Sequence, residues 1–269
     1  MLIDLSGKVA IVTGAGRGIG REIASALARE GVITVITDVN ETDLTSLKQE
    51  FEQHGYKGSH YVCDVRNFSQ ITDMVRDVEQ KYGRIDILVN NAGVAGGGPV
   101  ETLEEEVWDR NLDINLKGTF LMCKAVVPVM KRQRSGRIIN AASFAAIVPS
   151  YGGAAYASSK AGVVQFTRVL AGELGPWNVT VNCYAPGMIP TELNHFAELP
   201  EQQQERLLDT LTFRRWGEKE DIAHLICFLA SDYAGYITGT LIDISGGKLA
   251  TQIPRVAYER AAAEGAYEF

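Results

Sequence analysis

VAIVTGAGRGIGREIASALARE, residues 9–30, is the stretch on which the fold turns. Its first five residues, VAIVT (9–13), read as a strand apolar on both faces, and GREIASALARE (20–30) carries apolar residues at helical spacing. Between them TGAGRGIG sets Gly14, Gly18 and Gly20 in a GxxxGxG pattern, with the helix starting inside it. Glycine permits the tight turn and lets backbone amides approach a pyrophosphate over the helix N-terminus, whose dipole favours negative charge. The GxGxxG spacing is not met, because position 19 is Ile.

Outward from this unit the alternation continues through VITVIT (32–37), YVCDV (61–65), IDILVN (85–90), RIINAA (137–142), VTVNCY (179–184) and TLIDI (240–244). Amphipathic pieces such as ITDMVRDVEQKY (71–82) are long enough to be the crossovers. The pattern predicts an α/β fold: a single doubly wound domain over residues 1–269, with about seven parallel strands and helices on both faces. No proline- or serine-rich linker divides the chain. Residues 188–216 break the alternation with a polar insertion at the carboxyl end of a strand, where such sheets bind ligands, and are expected to form a substrate lid.

Composition narrows the function. Lys and Arg total 26 against 33 Asp and Glu, and the net charge of -7 argues against nucleic acid as a partner. The chain begins MLIDLSGKVAIVTG, without a basic segment followed by a long apolar one, and no stretch approaches the roughly 18 continuous apolar residues of a membrane span. A soluble, cytoplasmic protein with no membrane partner is therefore expected. Cys63, Cys123, Cys183 and Cys227 are far apart and form no CxxC or Cys/His cluster, which predicts buried reduced thiols and no metal.

Asp38 closes the second strand, 18 residues beyond Gly20, where a carboxylate can accept hydrogen bonds from an adenosine ribose. A 2'-phosphate there would meet that carboxylate at about 4–5 Å, at a cost of roughly 1–4 kcal/mol. NAD is thus favoured over NADP, although Arg17 in the glycine turn partly opposes this. Further on, YASSK (156–160) places the Tyr156 phenol and the Lys160 ammonium four positions apart, on one helix face. A phenol has a pKa near 10, and lowering it to neutrality needs roughly 4 kcal/mol. An ammonium at about 5 Å supplies roughly 3 kcal/mol at an effective dielectric of 20, and an oxidised nicotinamide adds more positive potential, so Lys160 is expected to make Tyr156 acidic enough to exchange a proton.

Taken together, TGAGRGIG, Asp64-Val65 after the third strand, NNAG (90–93), Ser143, YASSK and PGMIPT (186–191) resemble the short-chain dehydrogenase/reductase family in order and spacing, from about residue 5 to 247. The resemblance implies a Rossmann-type sheet and a nicotinamide cofactor. It also implies a homotetramer or homodimer built on the helices expected at 107–132 and 156–174. Carried over, Tyr156 is the acid/base, Lys160 its partner, Ser143 the holder of the substrate oxygen, and Asn115 the anchor of a proton-relay water. Gly14, Arg17, Gly18, Ile19 and Gly20 would cradle the pyrophosphate, and Asp38 the ribose. Asp64 and Val65 would contact adenine, and Asn91, Ala92 and Gly93 would line the groove. Pro186, Gly187, Ile189 and Thr191 would border the nicotinamide, the last two holding its amide.

The implied reaction interconverts a secondary alcohol and a ketone. A 3-oxoacyl carrier-protein reductase using NADPH resembles the chain over the same span, with Arg132, Arg134 and Arg137 as cations for an acidic carrier, though Trp177 stands where a further cation is expected. A catalytically silent NAD-binding sensor would be expected to lose Tyr156, Lys160 or Ser143, and all three are present. Small residues near 95–98 and 152–155 are expected to leave room for substrate, Phe144 and Phe196 to form apolar walls, and Glu192, Asn194, His195 and Arg214 to offer polar contacts. That mixture favours a sugar, polyol or sugar acid. Members of the family end soon after the glycine pair at 246–247, whereas this chain continues with KLATQIPRVAYERAAAEGAYEF. The extension is expected to pack on the body or on a neighbouring subunit and to border the substrate pocket, with Arg255 as an anion contact.

Overall fold

The alternating runs assemble into one parallel sheet in the order β3-β2-β1-β4-β5-β6-β7, in a computed structural model that describes residues 3–194, 196–250 and 252–268. The strands are β1 (Val9–Thr13), β2 (Ile33–Asp38), β3 (Gly58–Val62), β4 (Ile87–Asn90), β5 (Gly136–Ala141), β6 (Val179–Pro186) and β7 (Leu241–Ile244). Side chains alternate between two cores, as strand geometry requires. Ala10, Val12, Ile36 and Val89 face α1 (Gly18–Arg29) and α2 (Glu41–His54) on one side, together with α8 (Lys219–Ala230). Val9, Ile11, Val35, Leu88 and Val181 face α3 (Phe68–Tyr82), α5 (Gly118–Gln133) and α6 (Ala154–Leu174) on the other. The doubly wound architecture is thereby borne out, and the chain's order reverses between β1 and β4, which opens a crevice at the strands' carboxyl ends.

Two elements differ from expectation. The third strand runs over 58–62 rather than 61–65, because β2 is its only neighbour and the pairing from Thr34↔Gly58 to Asp38↔Val62 ends where β2 ends. As an edge strand it is half exposed, which shortens its apolar signal. The helix expected over 107–132 is interrupted: α4 (Glu105–Asn111) passes through a π-helical turn (Leu112–Lys117) into α5. That wider turn carries Asn115, whose side chain is fully buried.

Two short helices complete the chain. α7 (Glu201–Leu208) lies within the insertion after β6, and α9 (Arg255–Ala263) within the C-terminal extension. Among the described residues no helix is long and apolar enough to cross a membrane, no group of His, Cys, Asp and Glu could hold a metal, and all four cysteines are buried and free.

Candidate active site

A cleft of about 310 Å³, open to solvent, runs along the carboxyl edge of the sheet from Asp38 to Tyr156. Its floor is the turn after β1. There a Cβ at Gly20 would fall 2.0 Å from the Gly14 carbonyl oxygen, so only glycine permits this strand-to-helix passage. No side chain caps the first amides of α1, which leaves that N-terminus suited to an anion. The Thr13 hydroxyl accepts from the amides of Asn91 (3.1 Å) and Ala92 (3.0 Å), and the Asn91 side chain donates to the carbonyls of Thr13 and Gly14 (both 3.2 Å). Tyr184 donates to the other end of that amide at 3.1 Å. The loops after β1 and β4 are thus tied together into a rigid trough. Thr13 and Tyr184 were not singled out in the sequence, since a strand threonine and a strand tyrosine carry no local signal of such a role.

Gly14, Arg17, Gly18, Ile19, Gly20, Asp38, Asp64, Val65, Asn91, Ala92, Gly93, Tyr156, Lys160, Pro186 and Thr191 all line this one cleft. The Asp38 carboxylate accepts from the amides of Gly16 (3.0 Å) and Asn40 (3.1 Å), which fixes it at the far end. Asp64 is paired with Arg66 at 2.6 Å, and this holds its carboxyl below the ordinary value. Gly187 and Ile189 stand elsewhere, bordering a second cavity on the far side of the loop after β6. The Ile189 side chain is buried in the core and its carbonyl accepts from Asn194 at 2.8 Å, so that carbonyl is already engaged within the loop.

The reacting end is built by α6 and the strand ends beside it. Lys160 is buried and donates to the Ala141 carbonyl at 2.8 Å, with its ammonium 5.7 Å from the Tyr156 ring centre. Burial lowers the Lys160 pKa to about 8, because removing an ammonium from water disfavours its charge. Burial likewise raises the Tyr156 phenol above its ordinary value, and a hydrogen bond from Ser143 only partly offsets this. Among the chain's own groups desolvation thus sets the direction of the Tyr156 shift, which leaves to an oxidised nicotinamide the share of positive potential expected of it. Ser143 is buried at the end of β5, its hydroxyl accepting from the Ala145 amide at 3.2 Å. Asn115 lies behind Gly93, accepting from the Val94 amide (2.8 Å) and donating to the Val94 carbonyl (3.0 Å) and to Ser159 (2.9 Å). Tyr151, the other phenol of this loop, points into solvent.

The lid takes a different form from that expected. Glu192 reaches towards the N-terminus of α1, its carboxylate 3.5 Å from where a Cβ on Gly18 would lie, rather than towards the reacting end. Asn194 spends its side chain on the amides of Thr191 (3.3 Å) and Phe196 (3.2 Å) and the Ile189 carbonyl. His195 lies outside the described residues. Phe196 stacks on Trp216 with ring centres 5.8 Å apart. The glycines expected to leave room instead bring backbones together, since Gly98 donates to the Gly152 carbonyl at 2.8 Å and a Cβ on Gly97 would sit 2.0 Å from that same oxygen.

Arg214 is nearly buried and bridges the lid to the extension. It pairs with Glu205 and with Asp209 (3.1 Å) and donates to the Tyr267 hydroxyl (3.1 Å). Arg255 in α9 pairs with Asp209 (2.7 Å) and Glu259 (3.0 Å), so the anion role expected of it is taken by these carboxylates. Tyr258 donates to the Thr212 carbonyl at 2.7 Å. The extension thus packs on the lid of its own chain. Arg214→Ala is expected to speed hydrogen exchange across residues 199–214 about tenfold while moving the global Tm by only a few degrees, because the bonds lost are local. Unchanged exchange there would mean that the lid is held by other contacts.

The expected carrier-protein cations are also engaged. Arg137 is buried against the Ser231 carbonyl (3.4 Å) and Asp232 (3.3 Å), Arg132 pairs with Glu79 (2.6 Å), and Arg134 donates to the Pro176 carbonyl (3.3 Å). The Trp177 ring is covered by Lys131 at 4.1 Å.

Comparison with known proteins agrees with this geometry. Residues 8–202 match the short chain dehydrogenase family pattern. The chain is 42% identical over 243 residues to the 3-oxoacyl-acyl-carrier-protein reductase FabG of Thermotoga maritima, spanning 90% of this chain and 98% of that one. It is 40% identical over 246 residues to the hydroxy(phenyl)methylsuccinyl-CoA dehydrogenase subunit BbsD of Thauera aromatica, spanning 91% and 98% respectively. The crystal structure of NAD+-bound xylitol dehydrogenase superimposes with a TM-score of 0.86 at 32% identity, covering 90% of this chain and 99% of that one. With the glycine turn and the Tyr156–Lys160 pair gathered at one cleft and Ser143 hydrogen-bonded to Tyr156, the chain belongs to the short-chain dehydrogenase/reductase family and is an oxidoreductase.

Proposed function

We propose that the protein is an NAD-linked oxidoreductase that interconverts a secondary alcohol and a ketone on a small hydroxylated substrate such as a sugar, polyol or sugar acid. The carrying observation is Asp38, a carboxylate held at the ribose end of the cleft by two backbone amides. The uncapped α1 N-terminus and the glycine turn fit a dinucleotide pyrophosphate, and the nicotinamide, when bound, accepts or supplies the hydride. In oxidation Tyr156 takes the hydroxyl proton, while Ser143 donates a hydrogen bond to the oxygen on which negative charge develops. Lys160 keeps positive potential beside the phenolate, and Asn115 holds the Gly93–Val94 loop against that lysine. Thr191, at the cleft, and the amide of Ile189, whose carbonyl is engaged by Asn194, would hold the nicotinamide, and a relay water at Asn115 would connect the proton to solvent. A homodimer or homotetramer on α5 and α6 accords with the exposed Phe120 and Val169 on those helices.

A second reading, reduction of a 3-oxoacyl thioester, is favoured by the two relatives above, whose names specify acyl-carrier-protein and CoA substrates. The engaged state of Arg132, Arg134 and Arg137 weighs against a carrier-protein partner here. Rates with NAD plus polyols and sugar acids, set against NADPH plus acetoacetyl thioesters, separate the two. The cofactor assignment has its own test. Asp38→Asn preserves the acceptor for the Gly16 amide and removes the charge, so the preference for NAD over NADP in kcat/KM should fall about tenfold or more. A parent enzyme that uses both cofactors equally well would overturn the assignment.

A further inference from the structure

The geometry points to Lys248 as the group that selects substrates bearing a carboxylate. This inference rests on the secondary-alcohol reading above and names the substrate class within it. Lys248 follows the Gly246–Gly247 pair, where the loop after β7 meets the lid at Thr210 and the segment after Ser143 at Phe144. Its amide donates to the Ser245 hydroxyl at 3.0 Å, which fixes the start of the side chain. Its ammonium donates to the hydroxyl of Thr210 in the lid and lies 5.5 Å from the ring centre of Phe144, the neighbour of Ser143. The Thr210 hydroxyl in turn donates to the Leu207 carbonyl, so it offers Lys248 a neutral acceptor only.

Lys248 is half-buried, and among the described residues no carboxylate lies within ion-pair distance of it. Nearby cations fare differently: Arg214 and Arg255 on the same lid and extension share Asp209 and pair further with Glu205 and Glu259 respectively. Burial also draws the lysine below its ordinary pKa, as desolvation without a compensating anion requires. A shielded ammonium with neutral neighbours, set between the lid and the residue after Ser143, is complementary to an anion brought in by the substrate. A single point charge without an arginine companion suits a monoanionic carboxylate better than a phosphate dianion. The substrate class is therefore a hydroxy acid and its oxo acid.

The test uses the full chain with NAD and matched pairs: gluconate against glucitol, and 3-hydroxybutyrate against butan-2-ol, with glycerol 3-phosphate as the phosphate arm. Lys248→Met should lower the acid-to-neutral ratio of kcat/KM by roughly 10- to 100-fold, mainly through KM for the acid, and Lys248→Arg should recover part of it. An unchanged ratio, or equal losses for both members of each pair, would overturn the inference. So would a parent enzyme that prefers the phosphate ester. Calorimetric binding of the same acids in the presence of NADH gives a readout independent of turnover. Acids that bind in a Lys248-dependent way without being oxidised would sink the assigned reaction and leave this inference standing, whereas acids that bind Lys248→Met as tightly as the parent would sink the inference.

Discussion

Tyr156→Phe is expected to reduce kcat by about 10²- to 10⁴-fold, the usual contribution of a positioned proton-transfer group, while the dissociation constant for NAD stays within about threefold. The substitution keeps the ring against Lys160 and removes only the hydroxyl. No other phenol can take its place, because Tyr151 is 90% exposed and Tyr184 is committed to Asn91. The chain's own atoms leave the Tyr156 phenol above its ordinary pKa, so positive charge on the bound cofactor must add to that of Lys160 before the proton leaves readily. Lys160→Met should consequently lower kcat as well, and weaken cofactor binding more than Tyr156→Phe does. Steady-state kinetics and fluorescence titration with NADH check both expectations. A Tyr156→Phe enzyme that oxidises alcohols at the parent rate would remove the proposed mechanism.

Asn115→Ala should produce the largest combined loss of stability and rate. The side chain is fully buried in the π-helical turn and satisfies three partners: the Val94 amide, the Val94 carbonyl and the Ser159 hydroxyl. Alanine leaves the Val94 amide and carbonyl without their side-chain partner, while the Ser159 hydroxyl keeps its bond to the Tyr156 carbonyl (2.7 Å), and each buried polar group so orphaned costs about 1–3 kcal/mol. With relaxation and water entry recovering part of this, a net loss of about 3 kcal/mol corresponds to a Tm lower by about 6–12 °C for a chain of this size. The rate should fall too. A Cβ on Gly93 would lie 3.0 Å from the Asn115 side-chain oxygen and 3.4 Å from the Lys160 ammonium, so loosening the 93–94 loop also loosens the lysine. Calorimetry together with kcat on the folded fraction tests this. A variant with an unchanged Tm and an unchanged kcat would show that Asn115 holds nothing at the site.

The places where expectation and structure part company share a cause. Strand β3 was displaced because the end of an edge strand is set by its partner in the sheet and not by its own apolar run. The lid residues chosen for their polarity were spent inside the loop: Asn194 on backbone groups, and Arg214 on Glu205, Asp209 and Tyr267. Arg255, a cation near the end of the chain, is paired, while Lys248, beside a glycine pair, has no carboxylate within ion-pair distance among the described residues. Polarity is written in the sequence. Whether a polar group is still available depends on how the loop folds on itself, as at Asn194, and on distant neighbours, as where Tyr267 meets Arg214 and Asp209 meets Arg255.

What the sequence determined alone is whatever rests on short-range periodicity: the seven strands by apolar runs, the glycine turn by its spacing, and the shared face of Tyr156 and Lys160 by the helical repeat. Fifteen of the named residues meet at one cleft because strand ends at the carboxyl edge of a parallel sheet are neighbours by construction. Only the tertiary structure decided the electrostatic balance at Tyr156, the fastening of the extension to the lid, and which lysine stands between Thr210 and Phe144 without a carboxylate beside it. Those outcomes depend on burial and on contacts between distant segments, and desolvation is a property of the assembled surroundings that no local pattern of residues encodes.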